Sequence, residues 1–228
     1  MAAGIGSRLG LETGIKPKPM ISLNSMPILE HNLMMCKNAG INSFYINTHH
    51  LPEIIKNHFG NGAKFGVTIT YSYEPSLLGT SGAVKNFSAE LDNEDFIVVY
   101  GDNYSNYDLN SIIKFHYEKN SDFTIASYPI EDVSSSGFIC RNQDGLVEHF
   151  IEKPNFTNPT PGIANMGVYV INYSVLKQIP DGVSDFGLDI IPALLKNRSR
   201  VYSIIMNDKA WAIDTPEQLE IASKYFNN

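Results

Sequence analysis

From residue 28 onward the chain alternates helical and extended signals almost without a break, and this alternation restricts it to a layered α/β architecture. Ile28 to Ala39 has apolar residues at helical spacing and is stopped by Gly40, and Ser43 to Asn47 follows as a short apolar strand. Pro52 to Phe59 reads as the next helix, Val67 to Tyr73 as an alternating strand, Ser81 to Leu91 as a helix, and Phe96 to Tyr100 as a fully apolar central strand. Leu109 to Lys119 and Phe123 to Tyr128 repeat the unit, so a mostly parallel sheet with helices on both faces is predicted. The second half changes character, with short β segments at Gly137 to Cys140, Val147 to Ile151 and Met166 to Ile171 between Gly, Pro and Asn turns, a small β-rich substrate-binding elaboration. Leu188 to Leu195, Val201 to Ile205 and Pro216 to Phe226 return to helix, strand and helix. No repeat or linker interrupts a single domain over 1–228.

At 228 residues such a domain can bury a substantial core. A net charge of -7 excludes nucleic acid as the main partner, since backbone binding needs a broad basic face, so any anionic ligand must be met by a few local cations. Cys36 and Cys140 are too few for a disulfide framework or a cysteine zinc site, which points to a reducing, cytoplasmic setting with both thiols buried. The apolar runs are short and no leader pattern precedes them, so neither a membrane span nor a signal peptide is expected. A homo-oligomer stays open.

The local cations sit at the start. Gly4-Ile5-Gly6-Ser7-Arg8-Leu9 is followed by Lys16-Pro17-Lys18-Pro19. Glycines let backbone N–H groups approach a phosphate, and the arginine and lysines supply the charge a triphosphate needs. Leu9 stands where a dehydrogenase fingerprint needs its third glycine, and Ser7-Arg8 follows Gly6 where an ATPase loop needs Lys-Ser/Thr. A surface turn with solvated lysines would account for the glycines alone but not for a basic cluster in an acidic chain. Only Met1-Ala2-Ala3 precede Gly4, so the strand that should hold this loop reads as truncated.

Asp102 follows the Phe96 to Tyr100 strand through Gly101, at a strand carboxyl end, from which a carboxylate can reach a metal bound to phosphate; a simple Gly-Asp-Asn turn is the plain alternative. Asp214 precedes the last helix, where Asp214 or Thr215 would also cap it with Pro216 at its first position. Two such carboxylates suit magnesium, which takes one or two protein carboxylates plus phosphate oxygens. His49-His50 is read as a polar loop, because adjacent side chains diverge and no further ligand cluster accompanies them.

Taken in order, Gly4-x-Gly-x-Arg-Leu9, Lys16-Pro-Lys-Pro19, Pro27-Ile-Leu-Glu-His31, Leu78-Gly-Thr-Ser-Gly82, Gly101-Asp102, Ile151-Glu-Lys-Pro154 and Asn165-Met-Gly167 resemble the signature of sugar-1-phosphate nucleotidyltransferases over nearly the whole chain. The resemblance implies a Rossmann-like fold, with a nucleotide-binding half over 1–130 and a sugar-phosphate-binding half over 131–228. It implies that a sugar 1-phosphate attacks the α-phosphorus of a nucleoside triphosphate and pyrophosphate leaves. Such chemistry needs positioning and charge neutralisation rather than a general base, consistent with the lack of a Ser-His-Asp or Cys-His set. On the family pattern, Ala3, Gly4, Gly6, Ser7 and Arg8 hold the leaving phosphates, Lys18 sits against the α-phosphate, and Gly79 and Thr80 belong to a base-facing loop; the plain alternative for that loop, compatible with the first, is an N-cap at Thr80 or Ser81. Lys153 meets the sugar phosphate, Glu152 and Asn165 meet the sugar, and Gly137 and Gly167 leave it room. Asp102 and Asp214 hold Mg2+.

Ser22 and Met26 depart from the usual proline and lysine, and Ala212-Ile213-Asp214-Thr215 stands where many members carry Asp-x-Gly-Thr. The Leu-Gly-Thr-Ser-Gly loop most resembles guanylyltransferases that use GTP with mannose 1-phosphate or a related heptose 1-phosphate. Cytidylyl, uridylyl and thymidylyl transfer stay open, as does a silent nucleotide-sugar-binding regulatory subunit.

Overall fold

Most of the alternating segments fold as their periodicity predicts. The computed structural model describes residues 1–3, 16–91, 93–105, 107–207, 210–213 and 215–226. In chain order the elements are β1 (Ser22–Leu23), β2 (Met26–Pro27), α1 (Ile28–Asn38), β3 (Ser43–Thr48), α2 (Pro52–Phe59), β4 (Thr68–Tyr73), α3 (Gly79–Lys85), β5 (Phe96–Val99), β6 (Asn103–Ser105) and α4 (Leu109–Glu118). There follow β7 (Phe123–Ile130), β8 (Gly137–Arg141), β9 (Val147–Glu152), β10 (Gly162–Ile171), α5 (Tyr173–Leu176), α6 (Ile191–Lys196), β11 (Val201–Ile205), β12 (Ala210–Ala212) and α7 (Pro216–Phe226). Among the described residues no helix is long and apolar enough to cross a membrane.

The chain forms two compact units that interleave in sequence. The first comprises Met1–Leu77, Tyr100–Asn106 and Ala210–Asn228; the second comprises Leu78–Val99 and Tyr107–Lys209.

In the first unit β3 and β4 pair in parallel from Ser43 opposite Thr68 to Thr48 opposite Tyr73. Parallel neighbours need a crossover, and α2 supplies it, begun by Pro52 and ended at Gly60. Leu29 and Leu33 of α1 and Ile55 and Phe59 of α2 pack with Met20, Ile46, Val67 and Ile69. Burying each such side chain contributes about 1.5–3 kcal/mol. A second cluster joins Ile21, Leu23 and Ile28 to Ile213 and Ala222. There β6 pairs antiparallel with β12, and α7 opens with a capping box: Thr215 N donates to Gln218 Oε1 and Gln218 N donates to Thr215 Oγ1. Thr215 is thus the cap expected from the sequence.

The second unit is built on a six-stranded mixed sheet in the order β11-β7-β10-β8-β9, with β5 also paired to β10. β11 and β7 run parallel, whereas β10 is antiparallel to β5, β7 and β8. β10 begins at Gly162, before the predicted Met166, because its first residues pair with β7 and β8 and its last with β5 and β7. That central place explains its nearly unbroken burial. A bulge between Asn165 and Tyr169 bends it. Phe123, Tyr169 and Phe186 form an aromatic cluster with ring centroids 5.1, 5.3 and 5.7 Å apart.

Three local expectations are corrected. The helix predicted over Ser81 to Leu91 runs from Gly79 to Lys85, because Phe87 and Ser88 donate back three residues and the chain tightens into turns that bury Phe87. The helix predicted over Leu188 to Leu195 starts earlier, as a π-helical turn over Phe186–Ile190 leading into α6, because the Asp185 side chain caps the amides of Gly187 and Leu188. Cys36 is buried, and that burial pushes its thiol up to about 12, but Cys140 is partly exposed because it alternates with the buried Ile139 along β8.

Candidate active site

The first unit brings Lys18 to Asp102. Lys18 opens a 3-10 turn flanked by Pro17 and Pro19, and Met20 N and Ile21 N donate back to Pro17 O and Lys18 O, so the backbone behind the lysine has little freedom. Its ammonium donates to Asp102 Oδ2 at 2.6 Å, with side-chain exposures of 6% for Lys18 and 31% for Asp102. A buried ammonium requires such a partner, and the half-open carboxylate keeps a face to solvent. The turn carrying Asp102 is held from two sides. Gly101 N donates to Met1 O at 2.7 Å, and Ile213 N donates to Asp102 O at 3.3 Å. Asn32, a buried polar residue on the apolar face of α1, donates to Asn103 O at 3.0 Å and Tyr100 O at 3.5 Å. A Cβ at Gly101 would come within 2.6 Å of Met1 O, so the residue before Asp102 must be glycine for the two backbones to meet.

Ala2 and Ala3 are buried beside this region, and Ala2 N donates to Asn47 Oδ1, whose amide donates to the buried Glu74. His49 Nδ1 bonds Glu74 O at 2.7 Å, a structural contact in keeping with a polar loop, and the described residues hold no group of three or more metal-ligating side chains. Gly4, Gly6, Ser7, Arg8 and Asp214 lie outside the described residues.

The second unit gathers the expected sugar-side residues around Glu152. Gly137 pairs with Glu152 across β8 and β9, and in the next row Phe138 pairs with both Ile151 of β9 and Ala164 of β10, just before Asn165. A Cβ at Gly137 would meet the Phe150 ring at 2.5 Å and Glu152 Oε2 at 3.0 Å, and one at Gly187 would overlap the same carboxylate oxygen. Glu152 is therefore half-buried between two glycines. It has no hydrogen bond or ion pair among the described residues. Burial raises its pKa, Lys153 opposes that rise, and Asp185 adds to it. Such a carboxylate is short of donors, which is what sugar hydroxyls supply. The exposed Lys153 adopts φ +46°, an uncommon value for a side-chain-bearing residue, which turns it out of the strand while its N–H donates to Ser136 O.

Asn165 and Gly167 form the bulge of β10. Gly167 N donates to Asn165 Oδ1 at 2.9 Å, Asn165 Nδ2 donates to Tyr169 OH at 2.7 Å, and Gly167 takes φ +75°. The Gly79 and Thr80 loop lies in this unit too, and neither Thr80 nor Ser81 caps α3. Leu78 is at the N-cap, and the two hydroxyls bond Asp185 and Ser184 instead. Sequence reasoning missed Asn32, Asp185 and Gly187. The signal for Asn32 was an amide on an otherwise apolar helix face. Asp185 and Gly187 had none beyond a cap before a helix, because their importance comes from what the fold sets beside them.

Residues 1–217 match the family model described as nucleotidyl transferase. A UTP--glucose-1-phosphate uridylyltransferase of Synechocystis is 32% identical over 222 residues, covering 91% of this chain and 57% of that protein. A mannose-1-phosphate guanylyltransferase of Mycobacterium tuberculosis is 30% identical over 219 residues, covering 95% of this chain and 60% of that protein. The chain thus spans somewhat over half the length of these curated relatives. HddC from Yersinia pseudotuberculosis superposes with a TM-score of 0.83 at 25% identity, covering 99% of this chain and 96% of that one. With the family's signature segments carried on a matching fold, the chain belongs to the nucleotidyl transferase family.

Proposed function

We propose that the protein transfers a nucleoside monophosphate from a nucleoside triphosphate to a sugar 1-phosphate, releasing pyrophosphate, with GTP and mannose 1-phosphate or a related heptose 1-phosphate as the preferred pair. The carrying observation is the Lys18 to Asp102 contact at 2.6 Å, a cation and a carboxylate drawn together from positions 84 residues apart. Phosphoryl transfer to an oxygen that is already anionic needs charge neutralisation and alignment, and this pair supplies one group of each sign for that purpose. The half-buried Glu152, without a hydrogen bond or ion pair among the described residues, and the outward-turned Lys153 support a sugar phosphate as the acceptor.

Asp102 fits a hard divalent cation, since it offers a partly solvated carboxylate and magnesium takes its remaining ligands from phosphate and water. Mg2+ bound there would neutralise phosphate charge. Lys18, released from Asp102, would then neutralise the α-phosphate. Lys153 would hold the attacking sugar phosphate while Glu152 accepts hydrogen bonds from hydroxyls and orients the ring. Arg8 and the Ala3 to Ser7 backbone would hold the leaving phosphates, and Asp214 would be the second metal carboxylate. The preference for guanine is supported by relatives that include a mannose-1-phosphate guanylyltransferase, and by HddC, which has been crystallised with GMP-PN.

The test is incubation of the chain with magnesium, each nucleoside triphosphate and a panel of sugar 1-phosphates, with pyrophosphate as the readout. Release is expected to be greatest with GTP. A folded chain that released none with any pair would sink the reading in favour of a silent binding subunit.

A further inference from the structure

The loop that opens α3 is docked, backbone on backbone, against the segment that precedes α6. Ser81 N and Gly82 N both donate to Ser184 O at 3.1 Å, Ser184 N donates to Leu78 O at 2.9 Å, and the Ser81 hydroxyl donates to that of Ser184 at 2.7 Å. A Cβ at Gly79 would overlap the Ser184 carbonyl and one at Gly82 the Gly182 carbonyl, so both glycines are conditions of the contact. Thr80 completes it. Its hydroxyl donates to Asp185 Oδ2 at 2.8 Å and accepts from Phe186 N at 2.8 Å, so it serves both segments at once.

The contact continues beyond Asp185. Its other oxygen accepts from Gly187 N at 2.8 Å and Leu188 N at 3.1 Å, and Gly187 lies against the Glu152 carboxylate. One run of hydrogen bonds and close approaches therefore links Gly79 and Thr80 to Glu152, entirely within the second unit. Both ends thus bear on the Asp185 turn between them.

We propose that the Thr80 to Asp185 contact is a positioning latch that couples nucleotide binding to sugar phosphate binding, so that ordering the loop by one ligand pre-orders the Glu152 wall for the other. The proposal rests on the nucleotidyl-transfer reading, which puts Gly79 and Thr80 on the nucleotide side and Glu152 on the sugar side. Thr80 and Asp185 are positioning residues in this scheme. Thr80 is only partly buried, so its hydrogen bonds add little to stability. Their effect is to remove the independent motion of two segments. A ligand that restricts one then lowers the entropic cost of binding at the other.

Calorimetric titration tests this with mannose 1-phosphate, in the presence and absence of a saturating imido analogue of GTP. The analogue is expected to tighten sugar phosphate binding about fivefold or more in the unmodified chain. Thr80→Val should bring that factor close to one, and Thr80→Ser, which restores the hydroxyl, should recover it. A Thr80→Val chain with undiminished coupling would overturn the latch.

Hydrogen exchange on the unmodified chain is a second test that needs no variant. Mannose 1-phosphate alone should slow exchange at 79–82 as well as at 184–188, and slowing confined to 184–188 overturns the proposal. A chain that binds both ligands without mutual tightening overturns the latch alone. A chain that binds neither overturns the nucleotidyl-transfer reading and the latch with it.

Discussion

Lys18 Nζ and Asp102 Oδ2 lie 2.6 Å apart, with the lysine almost wholly buried and the carboxylate about one-third exposed. Truncating either removes this contact, and the two variants differ because only the lysine is deep. Asp102→Asn keeps the shape and an acceptor oxygen, so it should fold normally while turnover falls about a hundredfold or more. Pyrophosphate assays and thermal melts read the two effects separately, and near-normal turnover would remove Asp102 from the metal role. Asp102→Ala should in addition cost about 1–3 kcal/mol by removing the carboxylate to which the buried ammonium donates.

On the proposed reading, Lys153 and Glu152 divide the sugar phosphate between them. Lys153→Ala removes an exposed cation and should raise KM for the sugar 1-phosphate about tenfold or more while leaving that for the triphosphate nearly unchanged. Initial rates with each substrate varied in turn check this. Equal rises in both KM values would deny Lys153 its specific role.

Gly187→Ala tests the wall of Glu152. The added Cβ would overlap Glu152 Oε2, the end of a side chain that can swing aside, so the fold should survive and sugar phosphate affinity should fall. Gly79→Ala is a different case, because φ is +74° and the obstacle is the backbone carbonyl of Ser184. It should cost about 1–3 kcal/mol, read by urea unfolding.

His116 gives stability a pH dependence. It is buried, bonds Thr124 Oγ1 through Nδ1 at 2.8 Å, and lies with Asp95, Asp122 and Arg200 around it. Burial lowers its pKa, while Asp95 and Asp122 oppose that shift and Arg200 adds to it. The unfolded chain then binds a proton more readily than the folded one, so this stability is present above the ordinary histidine pKa of about 6.5 and is lost as pH falls below it. Urea unfolding at pH 7.5 and 5.5 should show the loss, and His116→Gln should flatten it. Asp122, lowered chiefly by its hydrogen bond from Arg200, acts in a separate window, with stability lost as pH falls through the ordinary carboxylate range and below.

Phe186 lies at the centre of the second unit's aromatic cluster and is fully buried. Phe186→Ala should destabilise by about 3–5 kcal/mol and loosen Asp185 and Gly187 beside it. Chemical denaturation measures the first effect and sugar phosphate affinity the second.

Much of this molecule was legible in one dimension because its elements obey local rules. Pro52 starts α2 and Gly60 stops it, the apolar period of Ile28, Leu29, Leu33 and Cys36 forms α1, and Thr215 with Gln218 caps α7. The family followed from short segments in a fixed order, and the matched residues 1–217 agree with it. Strand direction was less legible, since an apolar run such as Phe96–Val99 reads alike whether its neighbour runs with it or against it. The course of β10 through the middle of the sheet, and hence the mixed pairing, depends on contacts between residues far apart in the chain. The same limit applies to the candidate site. Asp102 and Lys153 stood out as charged residues beside glycine or proline, whereas Asn32, Asp185 and Gly187 are ordinary residues locally. Sequence alone determined most of the longer helices and strands and which motifs they carry, because propensity, capping and periodicity act over a few neighbours. Tertiary structure decided that Thr80 bonds Asp185 rather than capping its helix, and that Glu152 lies between two glycines, because only packing can place an unremarkable hydroxyl or hydrogen beside a carboxylate.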